Sequence, residues 1–423
     1  MRTERYNQET ENSNDSKKTK KTKKSKKKLN LKRFLIIDAV LLAVLLGVFI
    51  AGSVLKPFEL VGDADMVVNV GEEFNDPGTT SRMAKAEGTV DTSKVGDYEI
   101  TYRKGSKSLT RNVHVVDASR VVIGLKGSVN TVVREGDSYI ESGAFLIDKD
   151  KGPVDSAKIK IKGSVDTSKP GKYEIKYSGK SGYVKKTVTR TVTVVPKGEF
   201  KANTTGVPVL MYHYIYTASD KPASLNVNYT IDTDFEAQLK YLTENGYYFP
   251  SFTELRAYVD GKIALPEKSV ILTFDDAQWG FFKYGVPLLE KYKVPGTSFV
   301  IGTQNGDNKV RGYANPYVQF QSHSYDMHKG GGNIGHGGVI SAMSKDEIVN
   351  DLKKSFAQVG NGNALAYPFG DVTDTAKAAV AAAGLDCAFT TVDGKIKKGD
   401  DYRALPRVRV SGGNSLSQYI SRL

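Results

Sequence analysis

The segment GTVDTSKVGDYEITY, starting at Gly88, returns as GSVDTSKPGKYEIKY, starting at Gly163, and a match of that length requires two copies of one structural unit. An earlier pair, VGEEFNDPG around Gly71 and EGDSYIESG around Gly136, recurs at an offset of 65 rather than 75, so the second copy carries extra residues near DKDKGPVDSA. Each copy consists of short alternating segments such as YEITY and NVHVV with turn residues between them. Alternation over so few residues is the pattern of a small β-sandwich. The copies occupy 57–117 and 118–196, and His114, at an alternating strand position, reads as structural.

Ahead of the repeats lie a basic tail (1–33) and an apolar run, Phe34 to Leu55, with Asp38 its only charge. The tail carries 13 Lys/Arg against 4 Asp/Glu, which accounts for most of the chain's net charge of +13. The run is long enough for roughly 33 Å of helix, enough to span a bilayer. Lys and Arg on its N-terminal side keep the tail in the cytoplasm and send the rest of the chain out. This predicts one N-terminal transmembrane helix over 34–55, with Asp38 reaching the interface; Ala51-Gly52-Ser53 leaves processing as an alternative. A nucleic-acid role is disfavoured, because the Lys cluster is set apart from the folded domains. Cys387 is the only cysteine, so no internal disulfide forms and it reads as a small buried hydrophobe.

Residues 197–206 are polar and without periodicity, and read as a linker. From 207 to 423 the pattern changes. Phe235, Leu239 and Leu242 have helical spacing between Thr233, an expected N-cap, and Gly246, an expected stop. Apolar runs then alternate with helices: VILTF, GVPLLEKYK, GTSFVIG, VQFQS, a helix opened by the capping box Ser344 to Glu347, then ALAYPF, TAKAAVAAAG and LDCAFTT. Repeated strand-helix units imply a parallel sheet or barrel whose strand C-terminal ends carry the site.

Asp275 and Asp276 end such a strand in VILTFDD. Adjacent residues of a regular strand point to opposite faces, so one carboxylate can bind a metal while the other takes a proton from water. His323 and His328, in QSHSYDMH, are five apart and share a face of neither helix nor strand, so the chain must turn for them to converge. Two imidazoles and one carboxylate leave a fourth position open, as a catalytic zinc site requires. His213, after the apolar strand VPVLMY, can bring an imidazole to the same mouth as a general acid. His336, in GGGNIGHGG, reads as a loop residue.

On these motifs residues 206 to about 411 resemble the polysaccharide deacetylase family, metal-dependent carbohydrate esterases with the NodB homology domain. The motifs are TFDD followed by a helix and VPGTSFVIG, His-Ser-x-x-x-His, AYPFG at Tyr367 to Gly370, and LPRVRV near the end. MYH together with histidines five apart is similar to the branch that deacetylates poly-N-acetylglucosamine. The repeats resemble bacterial Ig-like surface domains, which are usually spacers. The resemblance implies a multidomain chain with two all-β Ig-like repeats before an α/β, distorted (β/α) barrel.

It also implies a set of roles. Asp275 is the expected base, His213 the acid, and Asp276, His323 and His328 the ligands of a divalent metal, Zn2+ first, with Co2+, Ni2+ or Fe2+ as alternatives. The backbone N–H of Tyr367 is the expected oxyanion donor, in the Tyr367-Pro368 motif. Tyr212, Trp279 and Phe369 are expected as apolar walls for sugar rings. The chain departs from the family at Ala366, where many members have an Arg that tethers the base, and Arg407 or Arg409 is expected to replace it. The usual C-terminal Leu-x-His is absent, which leaves the acid role to His213.

The expected activity is hydrolysis of N-acetyl groups on peptidoglycan or a poly-N-acetylglucosamine exopolysaccharide. The enzyme is expected at the cell membrane, with its catalytic domain outside a Gram-positive cell. The competing readings are an O-acetyl polysaccharide esterase with the same metal site, and a wall-binding scaffold that has lost turnover.

Overall fold

The computed structural model describes residues 36–48, 57–360 and 362–423. Among them no helix is long and apolar enough to cross a membrane. Residues 36–48, the described part of that segment, form an exposed helix. The transmembrane helix expected over 34–55 is thus not supported at its full length; its ends, 34–35 and 49–55, and the tail 1–33 lie outside the described residues.

Contacts divide the chain into two units. The first contains most of the first repeat, a four-stranded sheet in the order Asp65–Asn69, Lys107–Val116, Gly96–Lys104, Lys85–Glu87. Its interior is fastened by a buried guanidinium. Arg111, fully buried, donates to the carbonyls of Val61 (2.6 Å) and Asp63 (3.2 Å) and pairs with Asp76, while the Tyr102 hydroxyl donates to the same carboxylate.

The second unit holds the second repeat and the α/β domain. The repeat is two sheets, one of Asn130–Arg134, Val184–Val195, Gly171–Ser181 and Lys160–Lys162, the other of Val121–Leu125, Ala144–Asp148 and Gly152–Val154. The same fastening recurs: Arg190 is fully buried on the carbonyls of Lys126 and Gly143, and Tyr177 donates to Glu141. Buried charge of this kind needs hydrogen bonds to offset its desolvation, and the terminal nitrogens of Arg190 have them.

This second repeat is no detached spacer. Phe145 and Ile147 belong to the same buried cluster as Phe320, Val318 and Val359 of the α/β domain. Ser142 Oγ lies 2.7 Å from Ser251 Oγ and donates to Glu254, and Asp137 accepts from the Ala264 N–H. The expected linker is fixed as well: Asn203 is buried, with its side-chain amide on the carbonyls of Gly206 and Glu267. The polarity read as looseness is local hydrogen bonding instead.

In the α/β domain seven parallel strands close on themselves: Val209–Tyr212, Ile271–Phe274, Gly296–Val300, Val318–Ser322, Ala364–Ala366, Cys387–Asp393 and Leu405–Arg409. Leu210 and Met211 pair with Val408 and Arg409 to complete the ring. The ladder is thinnest between Val318–Ser322 and Ala364–Ala366, where Ser322 and Leu365 are the one registered pair. Helices cover the outside. Asp232–Glu244 buries Phe235, Leu239 and Leu242, and its N-cap is Ile231 rather than Thr233, because helical backbone already begins at Asp232. Lys345–Val359 carries the Ser344/Glu347 capping box in full. Cys387 is buried, and burial pushes its thiol well up.

Candidate active site and metal centre

Because the strands are parallel, residues that follow them collect at one end of the ring. His213 follows Tyr212, Asp275 follows Phe274, His323 follows Ser322 and Tyr367 follows Ala366. Together with Asp276, His328, His336, Phe369, Asn228, Thr391 and Arg409 they line a cavity of about 300 Å³.

The aspartates part company just after the strand. Asp276 and Ala277 both take left-handed backbone (φ 68° and 48°), a conformation that costs non-glycine residues free energy and persists where the surroundings enforce it. Asp275, 2% exposed, turns to Arg407, which donates to its two oxygens at 2.8 and 2.7 Å. Arg407 is itself fully buried and oriented by the Thr390 carbonyl (3.0 Å) and Thr273 Oγ1 (3.2 Å). Burial pushes the Asp275 carboxyl up, but the guanidinium outweighs it and holds the group well below the usual carboxylate range. Arg409 turns elsewhere and donates to Asn228.

Asp276 turns to the histidines. Its Oδ1 lies 3.4 Å from His323 Nε2 and 3.6 Å from His328 Nε2, and one ligand atom from each residue falls within 4.8 Å of the others. His323 Nδ1 is 2.7 Å from the Ala366 carbonyl. A carbonyl only accepts, so Nδ1 carries a proton and Nε2 is the nitrogen turned to the ligand cluster; burial lowers the imidazolium's pKa but Asp276 and Asp275 outweigh it and raise it, so Nε2 sheds its proton when it takes a metal. His328 packs at a tilt against Phe369, ring centres 4.4 Å apart, and burial followed by the neighbouring His323 charge pushes its imidazolium down, favouring the neutral ligand form. The donor set fits a divalent transition ion with a position left open.

The loop carrying the two histidines is shaped by residues that pattern reading passes over. Ser324 is left-handed (φ 70°), and Asp351, buried on the helix Lys345–Val359, accepts the backbone N–H groups of Tyr325 (2.7 Å) and Asp326 (2.8 Å). Asp351 falls on the same helix face as Ile348, Leu352 and Ser355, and a carboxylate at a core position was the signal available. Tyr214 donates to Asp276 Oδ2 at 3.4 Å and Lys309 Nζ to the Asp276 carbonyl at 3.4 Å; neither sits in a motif.

His213 Nε2 lies 4.0 Å from Asp275 Oδ2, and burial pushes its imidazolium down despite both aspartates. The expected Tyr367 donor is not free. Its N–H donates to the Phe389 carbonyl (2.9 Å), because the ladder with Cys387–Asp393 runs one residue past Ala366. Its hydroxyl donates to the Arg403 carbonyl, and Pro368 is buried. Tyr212 is core, stacked on Phe274 with its hydroxyl on Gln238. Trp279 is exposed and lines a neighbouring cavity. His336 lies apart from the ligand cluster, at the rim, with its backbone N–H held by the buried Asp371.

The sequence matches the family model "Bacterial surface protein, Ig-like domain" over 58–115 and 123–194 and the model "Polysaccharide deacetylase" over 262–388. It is 26% identical over 204 residues to the poly-beta-1,6-N-acetyl-D-glucosamine N-deacetylase of Staphylococcus aureus (strain MRSA252), covering 44% of this chain and 69% of that protein. Among solved structures it is similar to the Streptococcus pyogenes deacetylase PplD in complex with acetate (24% identity, TM-score 0.46, 52% of this chain and 99% of that one). Another is BC0361, a polysaccharide deacetylase from Bacillus cereus (21% identity, TM-score 0.42, 80% and 99%). The deacetylase family is generally metal-dependent, and Asp276, His323 and His328 form a group able to hold an ion.

Proposed function

Starting from a chain that carries a polysaccharide deacetylase domain behind bacterial surface Ig-like domains, we propose that it hydrolyses N-acetyl groups on a cell-surface N-acetylglucosamine polysaccharide, such as poly-N-acetylglucosamine or peptidoglycan. The observation that carries this reading is the pairing of an Asp276–His323–His328 cluster with an Arg407-bound Asp275 in one cavity. The Staphylococcus aureus relative supports the substrate class.

Asp276, His323 and His328 would hold the divalent ion, Zn2+ first by its donor set. When bound, such an ion supplies Lewis-acid chemistry toward the acetamide oxygen and the attacking water. Asp275 takes one proton from that water. Both of its oxygens are fixed by Arg407, so the carboxylate is oriented before the substrate arrives, which lowers the entropic cost of reaching the reactive geometry. His213, with Nε2 4.0 Å from Asp275 Oδ2, carries a proton to the departing nitrogen as the carbon–nitrogen bond breaks, leaving acetate and a free amine. Arg409 and Phe369 border the space that a sugar occupies.

The basic tail, the apolar segment and the surface-type repeats support an exported protein held at the membrane of a Gram-positive cell. The deciding assay is acetate release by the whole chain from N-acetylglucosamine oligomers and from an O-acetylated xylan, with chelator and after zinc is restored. Zinc-dependent release from the N-acetyl substrate is expected. Release from the O-acetyl substrate alone would establish the esterase reading, and bound metal without release from either would establish a scaffold.

A further inference from the structure

The two repeats allow an internal comparison, because the same strand pairing recurs in each. Lys85, Ala86 and Glu87 pair with Arg103, Tyr102 and Thr101 in the first copy, and Lys160, Ile161 and Lys162 pair with Ser178, Tyr177 and Lys176 in the second. Ile100 and Tyr102 are buried in one, Ile175 and Tyr177 in the other, so the residues that alternate with them face outward in both. In the first copy the outward set is Lys85, Glu87, Asp97, Glu99, Thr101 and Arg103, and Arg103 pairs with Glu87 at 3.0 Å. In the second it is Lys160, Lys162, Lys172, Glu174, Lys176 and Ser178. One scaffold thus carries a mixed face once and a basic face the second time.

The basic face continues along the hairpin. Lys180 lies opposite Lys185, as Lys176 lies opposite Lys162, and all six lysines remain exposed although the repeat is packed on the barrel domain. Thr187 and Thr189 lie opposite Ser178 and Lys176, which places hydroxyls among the charges. Like charges set directly opposite each other weaken a sheet, so folding gives no reason for either lysine pair. Protection of a free edge accounts for Lys160 and Lys162 alone, since Gly171–Ser181 and Val184–Val195 are interior strands of their sheet.

We propose that this face is a docking surface for a linear anionic polymer of the cell surface, a chain of phosphodiester-linked polyols. The two lysine pairs are set about 13 Å apart along the strand, a spacing that an extended polyanion can follow from one to the next. Charge separates this partner from the substrate in Proposed function: an N-acetylglucosamine chain is neutral, and the amines freed from it are repelled by lysine. An anionic membrane offers the same charge, but Lys160–Lys162 and Gly171–Ser181 present no apolar side chain on that face to enter a bilayer. Preference for a surface polymer over nucleic acid rests on the exported placement proposed above.

The first copy supplies the test. Lys162→Glu, Lys172→Asp and Lys176→Thr, made together, reproduce the side chains of Glu87, Asp97 and Thr101, which this scaffold already carries at the matching positions. Circular dichroism should give an undiminished melting temperature, since an opposed lysine pair is removed. Binding of poly(glycerol phosphate) to the whole chain, measured by calorimetry at ~0.1 M salt, is expected to weaken about tenfold or more in the variant. The difference should vanish near ~1 M salt, where screening shortens to about 3 Å. The basic tail is the same in both proteins, so the comparison isolates the face. Lys180→Gln with Lys185→Gln, which introduces no acid, should weaken binding in the same direction but less. Equal affinity of the parent and both variants overturns the proposal. So does a loss seen with phosphatidylglycerol vesicles or a single-stranded oligonucleotide and not with poly(glycerol phosphate). No turnover is read, so the outcome stands apart from the N-deacetylase reading.

Discussion

Arg407 grips both oxygens of Asp275 at 2.8 and 2.7 Å, from a strand 132 positions further along the chain. Neither side chain is more than 3% exposed. Removing the guanidinium leaves a buried carboxylate unpaired, which typically costs about 3–5 kcal/mol. Arg407→Met should therefore lower the melting temperature sharply and abolish acetate release. Arg407→Lys keeps the charge but not the two-pronged geometry, so it should recover part of the stability while kcat stays at least about 100-fold down. Equal kcat for Lys and Arg at this position would show that orientation of Asp275 is unimportant.

Metal content should follow the ligand cluster. His323→Ala and His328→Ala are each expected to reduce bound zinc, measured by elemental analysis after dialysis, to below one-tenth of the parent, with acetate release lost in step. Chelator should produce the same loss in the parent chain, reversible on adding zinc.

Asp351 touches no ligand atom, yet it accepts the two N–H groups that shape the histidine loop. An amide in its place accepts with one atom and confronts the other N–H with its own NH2 group. Asp351→Asn should weaken zinc binding about 10- to 100-fold, the usual cost of disturbing a group that orients ligands. Unaltered affinity in a zinc competition titration would mean the loop holds its shape without this carboxylate.

Phe145 belongs to the second repeat and packs into the core of the barrel domain. Phe145→Ala should destabilise the chain by about 3–5 kcal/mol. Tryptophan emission, which reports on the α/β domain through Trp279, should move with circular dichroism in the same denaturant transition. If the emission midpoint stays at its parental value, the repeat and the barrel unfold independently.

The first repeat carries its own pH dependence. Burial raises the Asp76 carboxyl, but Tyr102, the Gly78 N–H and Arg111 together bring it below its ordinary value. Its contribution is present above that ordinary value and is lost as pH falls through the lowered one. Tyr102 is pushed up to about 12, by burial first and then by Asp76, so its contribution is present below pH 10 and is lost as pH rises toward 12. Urea midpoints should fall at both extremes, and Asp76→Asn should flatten both limbs.

The site residues that close the strands were legible, because strand-helix alternation and the doublets TFDD and HSYDMH mark where a parallel sheet must end. Arg407 was legible only as one of two candidates. Both arginines sit in LPRVRV two positions apart, so alternation puts them on the same face, and only the height along the strand separates Arg407, which meets Asp275, from Arg409, which meets Asn228. The left-handed turn at Asp276 and Ala277 had only a weak signal, since Asp tolerates that backbone better than most residues but Ala does not. The joining of the second repeat to the barrel was equally silent: Phe145 and Ile147 alternate as any sandwich strand would, and nothing in their pattern says which core receives them. The Tyr367 donor failed for a similar reason, as the length of a ladder is set by its partner strand.

One feature of the ring links its chemistry to its durability. The strands ending at Ser322 and Ala366 share a single registered pair, and the His323 Nδ1–H to the Ala366 carbonyl crosses that same seam. The imidazole whose other nitrogen faces the ion thus acts as a clasp for the weakest stave of the barrel. Exchange of amide hydrogens should begin along this seam, and an ion that immobilises the ring of His323 would tighten the wall behind it.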